Sequence, residues 1–186
     1  ENASFTISAG ETLGVVGESG SGKSTLARLV MAFETPDAGT VAFDGKDLHS
    51  LSRPDLRRLR PEFQMIFQDP YGSLDPRRTV GWSLGDPLRA MGTNARAIIT
   101  RPQLLVADEA VSALDVSVRA QILNLLMDLQ EDLGLAMLFI SHDMAVVAAL
   151  CDTLMVLKSG NVLEQGNAAA ILNDPQHAYT QSLLTA

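Results

Sequence analysis

Thr12-Leu13-Gly14-Val15-Val16-Gly17-Glu18-Ser19-Gly20-Ser21-Gly22-Lys23-Ser24-Thr25 is the stretch on which the fold turns. The apolar run over 12–16 predicts a buried strand, and the glycines at 17, 20 and 22 break it. Residues 23–30 then predict a helix with Leu26, Leu29 and Val30 facing inward. Between strand and helix, residues 17–24 satisfy the pattern G-x-x-x-x-G-K-[ST] in the context its chemistry requires. The glycines let backbone N–H groups approach phosphate oxygens, and a helix N-terminus adds favourable potential there. Gly17, Glu18, Ser19, Gly20, Ser21, Gly22, Lys23, Ser24 and Thr25 are therefore the expected nucleotide-binding residues. Lys23 would supply a point charge for the β and γ phosphates, and Ser24 a hydroxyl ligand for Mg²⁺. The alternative is an ordinary Gly/Ser turn.

Working outward, Ser4-Phe5-Thr6-Ile7 alternates and predicts a strand, closed by a turn at Ala9-Gly10. Downstream, a turn over 36–39 precedes a strand over 40–43, and Asp44-Gly45 turns the chain again. Arg53, Arg57, Arg58 and Arg60 share a predicted short helix with Leu56 and Leu59, followed by a strand over 63–67. Residues 68–76 are dense in turn formers and predict a loop. A helix over 80–91 is weakened by Gly81, Gly85 and Pro87. Residues 104–107 form an apolar run ending in Asp108-Glu109, a buried strand delivering acids at its C-terminal end. Asp115 can cap a long helix in which Val118, Ile122, Leu125, Leu129 and Leu133 recur every three or four residues.

Strands over 136–140, 153–157 and 162–165 and helices over 144–150, 168–172 and 177–184 complete the pattern. Strands and helices interleave, so the expected fold class is α/β, a mainly parallel sheet flanked by helices with a small antiparallel β part.

The 186 residues suffice for one domain, and the 46% apolar content excludes a disordered or fibrous chain. No stretch has the ~18 continuous apolar residues of a membrane span, and no basic and apolar leader opens the chain. The single cysteine, Cys151, reads as packing and suits a reducing compartment. With 14 basic against 22 acidic residues the net charge is −8, which disfavours a nucleic-acid partner unless a local basic patch exists. The arginine stretch is interrupted by Asp55 and followed by Glu62, and reads as the solvated face of a helix. His49 and His177 lie in polar segments and read as surface groups.

Asp108 stands where a Mg²⁺ carboxylate is needed, and Glu109 could orient or deprotonate an attacking water. A plain strand terminus is the alternative for both. Gln68, between a strand and a loop, could meet the metal or the water. His142 lies after the strand over 136–140, where ligands of such sheets collect. A purely structural Ser141-His142-Asp143 capping turn is equally compatible with it.

Together these residues resemble the ATP-binding subunit of ABC transporters. Residues 17–25 look like the Walker A loop, Gln68 like the Q-loop glutamine, and residues 104–108 like Walker B. Glu109 looks like the catalytic glutamate, Ser112-Ala113-Leu114-Asp115 like the D-loop, and His142 like the switch histidine. Residues 67–77, 106–116 and 175–180 resemble the oligopeptide/dipeptide importer subgroup, whose members also serve nickel and opines. The resemblance implies a P-loop NTPase fold, ATP and Mg as cofactors, and ATP hydrolysis coupled to solute import. Lys23, Gln68, Glu109 and His142 would be catalytic, and Ser24, Gln68 and Asp108 would hold the metal. It further implies transmembrane permease subunits, a second ATP-binding subunit packed head-to-tail, a solute-binding protein acting indirectly, and a peripheral place on the cytoplasmic face of the cell membrane.

Two departures from the family pattern stand out. Residues 1–186 read as one nucleotide-binding domain, but the helical subdomain with the Leu-Ser-Gly-Gly-Gln signature is missing between Asn94 and Ala95, either as a stretch left out of the sequence or as a real deletion, which would abolish hydrolysis. At the front, the aromatic residue that stacks on adenine has no counterpart. A non-catalytic nucleotide-binding scaffold and an ATPase of the same class acting on nucleic acid or ribosomes are the alternative functions.

Overall fold

The computed structural model describes residues 3–67, 102–112 and 115–185. The strands are β1 (Thr12–Val16), β2 (Ala42–Phe43), β3 (Lys46–Asp47), β4 (Phe63–Ile66), β5 (Leu104–Asp108), β6 (Ala136–Ser141), β7 (Thr153–Lys158) and β8 (Asn161–Asn167). The helices are α1 (Lys23–Val30), α2 (Arg53–Leu59), α3 (Val116–Leu133), α4 (Met144–Leu150), α5 (Ala168–Asn173) and α6 (Ala178–Thr185).

Six strands form one sheet in the order β4-β5-β6-β1-β7-β8. All neighbours are parallel except β8, which turns back antiparallel on β7. β2 and β3 form a separate hairpin, where Asp44 and Gly45 have φ 49° and 71°. Positive φ at both central residues is what a tight two-residue hairpin demands. The expected mainly parallel α/β architecture with a small antiparallel part is therefore present.

The period of two along the strands sorts the core into two layers. Val106, Leu138, Ile140, Leu13, Val15, Met155 and Leu157 face one side with Ala27 and Met31. Leu105, Ala107, Met137, Phe139, Val16, Leu154 and Val156 face the other with Leu126, Val146, Val147 and Leu150. Right-handed crossovers explain the split, because the chain leaves β1 towards β4 but passes from β5 to β6 and from β6 to β7 in the opposite sense. Helices after β1 and β6 thus depart to opposite faces, which opens a crevice at the C-terminal ends of these adjacent strands.

Several expectations differ in detail from the structure. Residues 4–7 are not a strand, since no ladder partner adjoins them among the described residues. Their alternation survives in packing, with Phe5 and Ile7 against the α1-side core. In α3, Val118, Leu125, Leu129 and Leu133 are 36–51% exposed, whereas Leu126 is buried and Ile122, Leu123 and Met127 pack beside it. The helix is apolar on more than one face, and its polar anchors choose between them. Arg119 reaches Asp143 and Gln130 donates to the Gly10 carbonyl, which fixes the rotation. In α1, Leu26 and Val30 pack against the core as expected, but the inward line centres on Ala27 and Met31, and Leu29 stays outside the core cluster.

The arginine-rich stretch is helical as expected, capped by Ser52, with Leu56 and Leu59 against the core. His49 is half-buried and not a surface group. Cys151 packs against Gly14, and burial pushes its thiol up to about 12. The loop over 68–76, the helix over 80–91 and the junction at 94–95 lie outside the described residues.

Candidate nucleotide site

The loop after β1 is shaped by contacts from β7. A Cβ on Gly17 would collide with the Leu157 carbonyl oxygen, so only glycine lets the chain pass so close. Gly22 holds φ 105° immediately before α1, a left-handed entry into the helix without a side-chain cap. The first-turn N–H groups of α1 consequently face the loop with no acceptor inside the helix. Gly160, in the β7–β8 turn, donates its N–H to the Ser21 carbonyl at 2.8 Å and braces the loop from behind.

Lys23 is only 5% exposed, and its Nζ donates to the Gly17 carbonyl at 2.7 Å and the Glu18 carbonyl at 2.9 Å. Burial lowers its pKa, opposed by the charges of Glu109 and Asp108. The ammonium is thus held by two carbonyls beside a loop of N–H donors. Ser21 is also buried, and its Oγ has no hydrogen-bond partner among the described residues. A buried hydroxyl without a partner inside a glycine-lined cradle fits a phosphate oxygen, since such a group is costly to leave unpaired.

The register Asp108↔Ile140 and Val16↔Ser141 brings the ends of β5, β6 and β1 to one edge. Asp108 is buried there, and Ser24 Oγ donates to its Oδ1 at 3.3 Å. Burial raises the pKa of Asp108, and neighbouring Glu109 adds to the effect, against lowering by Ser24, Lys23 and Arg28. A serine hydroxyl beside one carboxylate is the small oxygen set that Mg²⁺ accepts when phosphates complete its shell. Among the described residues no cluster of three or more His, Cys, Asp or Glu could hold a metal, so a protein-only cage is not offered there.

Glu109 occupies φ 48°, an unfavourable left-handed conformation for a residue with a side chain. Three hydrogen bonds sustain it: its N–H donates to Ile140 O at 2.9 Å, and its carbonyl accepts from Ser112 N at 3.1 Å and Ser112 Oγ at 2.8 Å. The twist turns the carboxylate towards His142, with Oε1 3.6 Å from Nδ1. The capping turn is real as well. Asp143 accepts from Ala145 and Val146 at the start of α4 and pairs with Arg119, while Ser141 Oγ accepts from Asp143 N. His142 is therefore carried on a rigid turn and reaches the acid from it.

Residues 17–25, Asp108, Glu109 and His142 thus gather at one edge, and Asp115 caps α3 as expected. Gln68, Ala113 and Leu114 lie outside the described residues. Sequence reading missed the wall behind the loop, formed by Leu157, Lys158, Gly160 and Tyr179. Only the stretch 175–180 offered a signal, and it was legible as resemblance, not as a contact.

Among the described residues, no helix is long and apolar enough to cross a membrane. A family model described as ABC transporter matches residues 1–83. The glutathione import ATP-binding protein GsiA of Salmonella paratyphi A is 43% identical over 226 residues, covering 100% of this chain and 36% of that protein. The chain thus spans about a third of the length of GsiA. A Brucella ovis protein that carries the name "Putative peptide import ATP-binding protein BOV_A0347" is 42% identical, with 100% of this chain and 71% of that protein covered. Among solved structures, cbiO1 from Clostridium perfringens, part of the ABC transporter complex cbiONQ, has a TM-score of 0.71 at 25% identity, covering 91% of this chain and 82% of cbiO1. The ATP-binding cassette MJ0796, a dimer in a post-hydrolysis state bound to ADP and Pi, has a TM-score of 0.78 at 24% identity with 90% of each chain covered, and bears on the fold alone. A phosphate-loop edge of this geometry, together with 42% identity to a protein of which the chain covers 71%, places it in a family: the chain belongs to the ATP-binding proteins of ABC transporters.

Proposed function

We propose that the chain binds Mg-ATP at residues 17–25 and hydrolyses it as the energy-coupling subunit of an importer for peptides or a related small solute. The observation that carries this reading is the buried Lys23, held by the carbonyls of Gly17 and Glu18 beside the Ser24–Asp108 pair. Mg²⁺ would be held by Ser24 and Asp108, with Gln68 as a further ligand, and would neutralise charge developing on the phosphates. Lys23 and the loop N–H groups bind and orient the triphosphate. Glu109 orients the attacking water or takes its proton, and His142, on its capped turn, holds the γ-phosphate or that water in line. The names of the GsiA and Brucella relatives support glutathione- or peptide-like solutes. The proposed partners are permease subunits, a second ATP-binding subunit and, indirectly, a solute-binding protein, with the chain peripheral on the cytoplasmic face of the membrane.

One observation favours a second reading, nucleotide binding without turnover. A match of 226 residues that covers this 186-residue chain completely leaves 40 positions of each relative without a counterpart. The helical subdomain expected between 94 and 95 is the proposed content of those positions.

Calorimetric titration with Mg-ATP and phosphate-release assays, run on the same sample and on Lys23→Met, separate these outcomes. Binding weakened about a hundredfold by Lys23→Met, with phosphate release by the parent chain, supports the first reading. Equally tight binding without release supports the second. No binding by the parent chain contradicts both.

A further inference from the structure

Behind the phosphate loop lies a residue that none of its motifs includes. Tyr179, in α6, is buried, and its phenolic oxygen accepts the Glu18 N–H at 3.0 Å. The peptide unit that carries this N–H also carries the Gly17 carbonyl, which accepts from Lys23 Nζ at 2.7 Å. In a trans peptide the N–H and C=O point in opposite directions. One rigid unit is therefore held at one end by the tyrosine oxygen and at the other by the lysine ammonium.

The tyrosine is itself pinned. Lys158 Nζ lies 4.2 Å from the ring centroid, a cation–π contact. The next residue, Thr180, is fully buried and donates to Glu164 Oε2 at 2.6 Å. Glu164 also accepts from the backbone N–H groups of Gln176 and His177 at 2.9 and 3.3 Å, drawing the whole turn before α6 onto β8. Burial pushes the Glu164 carboxyl up, but the bonds from Thr180, Gln176 and His177 together outweigh it and hold Glu164 below the usual carboxylate range.

We infer that Tyr179 is a positioning residue of the phosphate loop, fixing the Gly17–Glu18 peptide so that Lys23 is stored where it can turn to a bound polyphosphate. Without the phenolic oxygen the peptide is held only from the lysine end, and the Gly17 carbonyl from which Lys23 must act is less firmly placed. The role rests on residues 17–25 being a polyphosphate site, but its structural half can be read without any ligand.

Two measurements on the full chain test it, each comparing the parent with Tyr179→Phe and with Thr180→Val. Amide hydrogen exchange without ligand should show Glu18 exchanging about three- to tenfold faster in Tyr179→Phe, with the β1 amides unchanged. Titration with Mg-ATPγS and with inorganic tripolyphosphate should show both weakened by about three- to tenfold, at an unchanged thermal midpoint. Equal losses for the two ligands place the effect at the phosphates, since tripolyphosphate has no base. Thr180→Val, which loosens the docking of α6, should lower the midpoint. Unchanged Glu18 exchange, affinities within twofold of the parent, a loss confined to Mg-ATPγS, or a midpoint drop matching that of Thr180→Val would each overturn the inference. If the parent binds neither ligand, the polyphosphate reading itself fails, whatever the exchange result.

Discussion

The two halves of the site are held in different ways. On the β1 side the loop is braced by Gly160, Tyr179 and the end of β7, and the buried Lys23 makes bonds of 2.7 and 2.9 Å to carbonyls. On the β5–β6 side the contacts are longer, 3.3 Å from Ser24 to Asp108 and 3.6 Å between Glu109 and His142, and the His142 side chain is 59% exposed. The backbone at Glu109 also sits in a strained conformation. Under the proposed function, the fold prepares the gripping half in advance and leaves the reacting half to be completed by ligand. Packed strands and glycine sterics fix the loop, whereas the Glu109–His142 contact is long and its imidazole faces solvent.

The most forceful way to break this comparison is Glu109→Gln. It should lower phosphate release by about a hundred- to ten-thousandfold and leave Mg-ATP affinity within about threefold, as expected if Glu109 acts on the water and not on binding. A comparable loss of affinity would mean that the two halves are not separable.

Asp108→Asn sharpens it through stability. Burial raises the Asp108 pKa above 3.8, so the native state binds more protons than the unfolded one between 3.8 and the raised value. The stability present below that window is lost as pH rises through it, and the charged carboxylate is a liability near neutrality. Without ligand, Asp108→Asn should therefore resist urea better than the parent at pH 7, with the advantage fading as pH falls below 3.8, and should bind Mg-ATP more weakly. Lys23 has the mirrored sign. Its pKa is lowered from 10.5 chiefly by burial, so the penalty of the buried ammonium eases as pH rises through the lowered value.

The smallest effect should come from Asp143→Ala, which removes the cap of α4 and the Arg119 pair while leaving the loop after β1 untouched. A loss of about 1 kcal/mol in a denaturation curve, with unchanged Mg-ATP affinity, is the expected result.

Much of this was legible along the chain because local pattern and local chemistry coincide. The run 12–16, the glycines after it and Lys23 lie within fourteen residues, and Asp108-Glu109 follow their own strand directly. What was not legible depended on distance or rotation. Nothing near Gly17 announces that Leu157 will press against it, or that Tyr179 will reach the Glu18 amide 161 positions away. Nor does the apolar repeat of α3 reveal which face turns inward, because Arg119 and Gln130 decide that through partners far along the chain. The strand expected over 4–7 shows the same limit, since alternation reports a half-buried surface whether or not a ladder forms.

The most direct test of a gripping half prepared in advance is a crystal structure of the chain with Mg-ATPγS. The account predicts the β-phosphate inside residues 17–24 with the loop backbone unmoved, Lys23 Nζ turned from the Gly17 and Glu18 carbonyls to phosphate oxygens, and Ser24 and Asp108 on the metal. A nucleotide bound elsewhere, or a loop that must rebuild its path past Leu157 to admit the phosphates, would contradict it.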